Sequence, residues 1–357
     1  MEPSLRRLFV VLAALTAVPA AAAPAWADAD PAVGFRRLSL PETGGHRALE
    51  GAVWYPTDDS GGAVTLVGDT RALVGAAVRV GAVPRPGRHP LVVLSHGYGG
   101  NWTNQQWLAV DLAARGYIVA AANHPGSTSR DMAPPGAATL WKRPGDVSHL
   151  IDALSDDPQW SGLLVPRSAA VVGHSLGGWT AVALAGGRFD QRRFDMACRA
   201  HPEMAACGPG IGATGADADA DGALARSLAD ERVRAVVTLD LGLVQGFDPV
   251  SLAAIRVPVL VIAAGPGDPK MPVELESRAL ADRLPAGSTR YAAITDAGHF
   301  SFLSVCKADA IPLLEAERPG DGMICRDGQE AGRDRTILHR QVSGLVAGFL
   351  SDVLPTP

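Results

Sequence analysis

The chain has 357 residues, of which 47% are hydrophobic and 19% charged, and it carries a net charge of -5 at pH 7. That balance describes a globular protein with ample core and excludes a disordered one. It offers no basic field for a phosphate backbone and no clustered Lys/Arg stripe, which excludes nucleic acid as a partner.

At the start, Arg6-Arg7 precedes an apolar stretch from Leu8 to about Ala23, and Ala25-Trp26-Ala27 supplies the small-x-small pattern that a signal peptidase reads. Residues 1–27 are therefore expected to be an export signal, with a retained anchor as the alternative; the stretch is short and alanine-rich for a membrane span. The mature chain, 28–357, is expected to form one domain without an integral membrane span and to be secreted or extracytoplasmic.

Ahead of Pro90, the segment containing Ala52-Val53-Trp54-Tyr55 reads as antiparallel strands at a sheet edge. From there strand-like runs alternate with helical stretches, the pattern of a mostly parallel sheet with helices on both faces. Leu91-Val92-Val93-Leu94-Ser95 is a buried strand, followed by the Gly-rich turn His96-Gly97-Tyr98-Gly99-Gly100, a helix around 105–115 and a strand over 117–122. A helix around 145–154 leads to the strand Ser168-Ala169-Ala170-Val171-Val172. Further strands are expected over 233–239, 257–263 and 290–294, with a helix over 275–284 and an amphipathic closing helix over about 335–353.

Two regions break the alternation. Residues 188–229 combine two cysteines, Gly208-Pro209-Gly210 and an alanine-aspartate tract, and read as a cap-like excursion over the active-site face of the sheet. Within it, Asp217-x-Asp219-x-Asp221-Gly222 matches the first half of an EF-hand loop, but Leu228 stands where the twelfth-position Glu is needed. A solvated acidic loop is the reading of 217–222, with calcium the alternative. Residues 309–334 are polar and glycine-rich and read as a loop. An exported chain with four cysteines is expected to form disulfides, and the two short closures are Cys198 with Cys207 and Cys306 with Cys325. No C-x-x-C spacing speaks for zinc, and no metal is expected.

Gly173-His174-Ser175-Leu176-Gly177 follows the strand at 168–172 and precedes a run of small, helix-compatible residues from Gly178 to Ala185. A serine on a sharp strand-to-helix turn needs nearly side-chain-free neighbours two before and two after it, which Gly173 and Gly177 supply. The pattern reads as a nucleophile elbow. A serine hydroxyl needs a base to take its proton and donors to meet the oxyanion that follows. The Leu176 N–H lies at a helix N-terminus just after the serine, and the turn at 96–100 can aim the Tyr98 N–H inward; these two are the expected oxyanion donors. Among nine histidines, His299 in Asp296-Ala297-Gly298-His299-Phe300 follows the last strand and is the expected base. His339 reads as a surface or packing residue, His174 as packing, and His96 as support for the oxyanion turn. The acid is Asp240, at the tip of the strand 233–239, or Asp268, in the turn after the strand 257–263. His124, Trp102 and Trp179 are candidate pocket residues, although tryptophans are equally good core residues.

The motifs Pro90 to Gly99, Gly173 to Gly178, Leu239-Asp240 and Gly298-His299-Phe300 together resemble platelet-activating-factor acetylhydrolases and related dienelactone-hydrolase-like bacterial proteins that carry a serine nucleophile. Cutinases are similar at the elbow and at Gly97-Tyr98, but usually lack the preceding Ser-His pair. The resemblance implies an α/β-hydrolase fold and an acid on the strand just after the elbow helix, which favours Asp240 over Asp268. The expectation is a secreted hydrolase of carboxylic esters that works through an acyl-enzyme on a small-molecule, lipid or polyester ester and requires no cofactor. Acyl transfer on the same triad, or a catalytically silent binding protein on the same fold, are the alternatives.

Overall fold

The computed structural model describes residues 32–132, 140–208, 222–327 and 334–354. The expected export signal and residues 217–221 of the acidic loop lie outside these residues. Strands β1 (Val33–Leu40), β2 (Leu49–Pro56), β3 (Val64–Val67) and β4 (Ala76–Val80) come first. Strand β5 (His89–Ser95), helix α1 (Gln106–Ala114), β6 (Ile118–Ala122), α2 (Lys142–Asp156), β7 (Leu164–His174), α3 (Leu176–Leu184) and α4 (Gln191–Ala200) follow. The remainder comprises β8 (Val233–Leu239), α5 (Pro249–Ala253), β9 (Val259–Ala263), α6 (Ser277–Arg283), β10 (Thr289–Ala293), α7 (Ala310–Glu317) and α8 (Arg335–Val353).

The ten strands among the described residues form one sheet in the order β10-β9-β8-β7-β5-β6-β2-β1-β4-β3. The block from β10 to β6 is parallel throughout, and β2, β1, β4 and β3 extend it past β6 with mostly antiparallel pairing. Strands buried on both faces read as continuous apolar runs, and side chains alternate between the two sides. Leu91 and Val93 of β5, with Ala169 and Val171 of β7, enter the core under α2 and α3. Val92, Leu94, Ala170 and Val172 point the other way, into the core under α1 and α8. Helix α8 starts where Asp334 accepts the Thr336 N–H at 2.7 Å, and it buries Leu338, Val342, Val346 and Leu350 at helical spacing. Each such side chain contributes roughly 2 kcal/mol by leaving water.

This topology decides where a site can form. From β5 the chain runs through α1 to β6 on one side, then returns to place β7 on the other side of β5. The carboxyl ends of β5 and β7 therefore flank a topological switch point, the crevice where open α/β sheets bind ligands. The 96–100 turn and the Ser175 elbow both emerge there.

One reading of the irregular regions changes. Residues 309–334 are not simply a loop, because α7 forms within them: Ile311, Leu313 and Leu314 follow one another at helix-compatible spacing, and Pro312 falls in the first turn, where its missing N–H costs nothing. The described part of the 188–229 excursion carries α4, capped by Asp190, whose carboxylate accepts the Arg192 and Arg193 N–H groups. It packs on the loops that follow β8 and β9. The Asp190 N–H donates to the Gly246 carbonyl at 2.7 Å, and the Ala205 N–H to that of Lys270 at 2.8 Å. Disulfides join Cys198 to Cys207 and Cys306 to Cys325.

Candidate active site

Ser175 sits between β7 and α3 with φ 55° and ψ -122°, a backbone conformation that costs energy in a residue with a side chain. Neighbouring backbone explains the flanking glycines. A Cβ on Gly173 would lie 2.0 Å from the Gly177 carbonyl oxygen, and one on Gly177 would lie 1.9 Å from that of Ser95. Only glycine lets the chain fold back this tightly beside β5. The Ser175 N–H donates to the Leu239 carbonyl at 3.0 Å, which ties the elbow to the last residue of β8.

The next residue is Asp240. It too has positive φ, 45°, and its N–H donates to Ile262 of β9 at 2.7 Å. The residue is only 3% exposed. Oδ1 accepts the Ala264 N–H at 2.9 Å, and Oδ2 lies 2.7 Å from Nδ1 of His299. A carboxylate can only accept there, so Nδ1 of His299 carries the proton and donates it. Asp268, the other candidate acid, is exposed, and its Oδ1 accepts the Lys270 N–H at 2.9 Å. The structure thus brings Asp240 to His299 and leaves Asp268 in a surface turn.

His299 is held from several sides. Nε2 of His174, inside the elbow, bonds the His299 carbonyl at 2.9 Å, with the two rings 4.8 Å apart. Burial, reinforced by the neighbouring His299, pulls the His174 pKa down to about 3, so it donates as a neutral imidazole. Behind the turn, Ser301 Oγ donates to Asp327 at 2.6 Å, and Arg335 donates to Asp327, to the Ser304 carbonyl and to the Ile324 carbonyl, each at 2.9 Å. His339 is a packing residue: it stacks on Trp107 at 3.7 Å and bonds the Ser301 carbonyl at 3.0 Å.

The Cys306–Cys325 bridge closes this same region across a separation of 19 residues. In the chain-entropy model such a loop is worth roughly 3 kcal/mol. Cys306→Ser and Cys325→Ser are each expected to lower the melting temperature by roughly 5 °C. Each is also expected to cut turnover by the same modest factor, with no further loss in the double variant. Non-reducing peptide mapping with thermal melts checks this, and additive losses would uncouple the bridge from the histidine turn.

Beneath the 96–100 turn lies a buried polar frame. Gly97 approaches the nucleophile so closely that a Cβ there would stand 3.1 Å from that of Ser175. His96 accepts the His124 N–H at Nε2, 3.0 Å, and donates from Nδ1 to the Gly97 carbonyl at 2.7 Å. His124 bonds Asp146 through Nδ1 at 2.8 Å, and Asp146 is also paired with Arg47. Burial, with the Arg143 charge nearby, draws His124 down to about 4, so its Nε2 accepts the Ser95 hydroxyl at 2.9 Å. Ser95, His124 and Asp146 repeat the serine–histidine–aspartate pattern, but Ser95 is only 1% exposed and therefore out of an ester's reach.

His124 belongs to this frame through its bonds to Ser95, His96 and Asp146. Trp179 is likewise a core residue, packed on Phe189 and Phe247 at 5.8 and 6.2 Å. Trp102 packs on Phe35 and Trp54 on the other face. All three candidate pocket side chains are buried among core neighbours: His124 is 2%, Trp179 0% and Trp102 8% exposed. Three residues bearing on the site carried no sequence signal: Arg143, Arg335 and Glu276. Glu276 accepts the Leu243 and Val244 N–H groups at 3.2 and 2.8 Å just beyond Asp240, and burial pushes its pKa up to about 8 against those two bonds. Nothing in the pattern around these residues separates them from surface charges, because their partners are distant in the chain.

The family model described as the alpha/beta hydrolase family matches residues 92–309. No curated protein matches this chain. Among solved structures, the chain is similar to a ferulic acid esterase from Streptomyces cinnamoneus, with 22% identity, 94% of each chain covered and a TM-score of 0.57. At that identity the likeness carries the fold.

Proposed function

This chain belongs to the alpha/beta hydrolase family, and from that premise we propose that it is a serine carboxylic-ester hydrolase working through an acyl-enzyme. The observation that carries the proposal is the Asp240–His299 hydrogen bond, which in a neutral imidazole makes Nε2 the nitrogen available as base for the serine on its strained strand-to-helix turn. Ser175 Oγ attacks the ester carbonyl while Nε2 takes its proton. The imidazolium then gives that proton to the leaving alcohol, and water repeats the sequence to release the acid. Asp240, fixed by Ala264, holds the tautomer and stabilises the imidazolium. The Tyr98 and Leu176 N–H groups receive the oxyanion, the second aided by the α3 dipole.

The two disulfides fit an oxidising compartment, and among the described residues no helix is long and apolar enough to cross a membrane. Export and a soluble mature chain belong to the same proposal. So does the kinship with the acetylhydrolases, which the placement of Asp240 directly after β8 supports.

The test is a p-nitrophenyl ester series from acetyl to palmitoyl, run on the purified mature chain beside phospholipid, feruloyl and polyester substrates. Turnover of at least one member is expected. Absence of hydrolysis across all of them, with acyl transfer to an added alcohol also absent, would favour a silent binding protein.

A further inference from the structure

The two proposed oxyanion donors sit on different elements, Tyr98 in the turn after β5 and Leu176 at the start of α3. One buried side chain bonds to both supports. Arg143, in the first turn of α2, is 1% exposed. Its Nη2 donates to the His96 carbonyl, its Nη1 to Ser127 Oγ at 2.7 Å and its Nε to Thr180 Oγ1 at 3.1 Å. Each acceptor leads to a donor. The His96 carbonyl lies in the peptide leading into Gly97-Tyr98. The Ser127 carbonyl accepts the Gly99 N–H at 3.0 Å, so it holds the chain on the far side of Tyr98. Thr180 donates in turn to the Leu176 carbonyl at 3.1 Å, within the first turn of α3.

Burying a guanidinium is costly, and these three acceptors are all neutral oxygens, so no direct ion pair repays the cost. Burial draws the Arg143 pKa down to about 9, with Asp146 one turn along α2 as the chief opposing charge. An apolar side chain would fill the space without that penalty. What it could not supply is a rigid planar fork that fixes three acceptors relative to one another.

We infer that Arg143 is a positioning residue that sets the separation of the Tyr98 and Leu176 N–H groups, and so acts on the oxyanion without touching substrate. The inference rests on the reading of those two amides as the oxyanion donors. Donors fixed in advance contribute most where charge develops, in the transition state, and little to ground-state binding.

A matched pair of esters sharing one leaving group, an oxoester and its thionoester, separates this role from general support of the fold. The thionoester places the developing charge on sulfur, which accepts hydrogen bonds weakly and gains little from the amides. Kinetics on both substrates are measured well below the melting temperature for wild type, Arg143→Met, Arg143→Lys and Thr180→Val. For Arg143→Met we expect oxoester kcat to fall on the order of 100-fold with KM nearly unchanged, and thionoester kcat to fall less than about fivefold. Arg143→Lys should recover part of the oxoester rate, and Thr180→Val should show a smaller loss of the same selectivity. Equal losses on both esters, or an unimpaired oxoester rate in a folded Arg143→Met protein, would overturn the inference. If Arg143→Met does not fold, Thr180→Val decides by the same ratio. Wild type inert towards every ester, or Ser175→Ala active, would instead defeat the parent reading, and both are seen before any Arg143 variant is made.

Discussion

Ser175→Ala is expected to lower ester turnover by on the order of a million-fold, the scale seen when a triad nucleophile is deleted, and to leave the melting temperature close to that of wild type. The hydroxyl supplies the atom that forms the acyl bond and makes no capping hydrogen bond to α3. What holds the elbow is backbone: the Ser175 N–H on Leu239 and the close approach of Gly173 and Gly177. Alanine keeps all of it. Turnover and a thermal melt on the same preparation check the prediction, and near-native activity in the alanine variant would remove the elbow from the chemistry.

Asp240→Asn is expected to cost on the order of 10⁴ in kcat, while Asp268→Asn should change it less than about twofold. The structure gives the reason for the first. The Ala264 N–H demands an acceptor, so asparagine must turn its carbonyl oxygen towards Ala264 and its NH₂ towards His299. Nδ1 then has to accept, the proton moves to Nε2, and the base can no longer take the serine proton. Asp268 faces solvent in a turn where its side chain accepts the Lys270 N–H, a bond that an asparagine oxygen accepts equally well. Steady-state kinetics on the two variants decide the matter, and the reverse pattern would make Asp268 the acid.

Most of the parallel sheet was legible because its strands are buried on both faces and read as unbroken apolar runs between helical stretches; β8 and α8 fall where the pattern placed them. The elbow was legible because its glycines answer a steric demand imposed by residues next to it in sequence. Asp240 and Asp268 could not be separated by local pattern, since both end or follow a buried strand; only the resemblance favoured Asp240, and the contact that distinguishes them spans 59 residues. Helix α7 was missed because the polar, glycine-rich composition around it hid a short apolar run. The tryptophans could not be assigned from sequence for a physical reason: indoles are as well suited to the core as to a pocket, and proximity to a motif in sequence says nothing of the face to which they turn. Arg143 was silent because its meaning lies in three acceptors on three other segments.

The most direct measurement of the central claim is covalent trapping. The purified chain is treated with an organophosphonate, its residual esterase activity is followed, and the adduct is mapped by peptide mass spectrometry. The account predicts one adduct per chain, on Ser175, forming in step with the loss of activity and absent from the Ser175→Ala protein. An adduct on Ser95 or any other serine, or full activity after Ser175 is completely labelled, would contradict it.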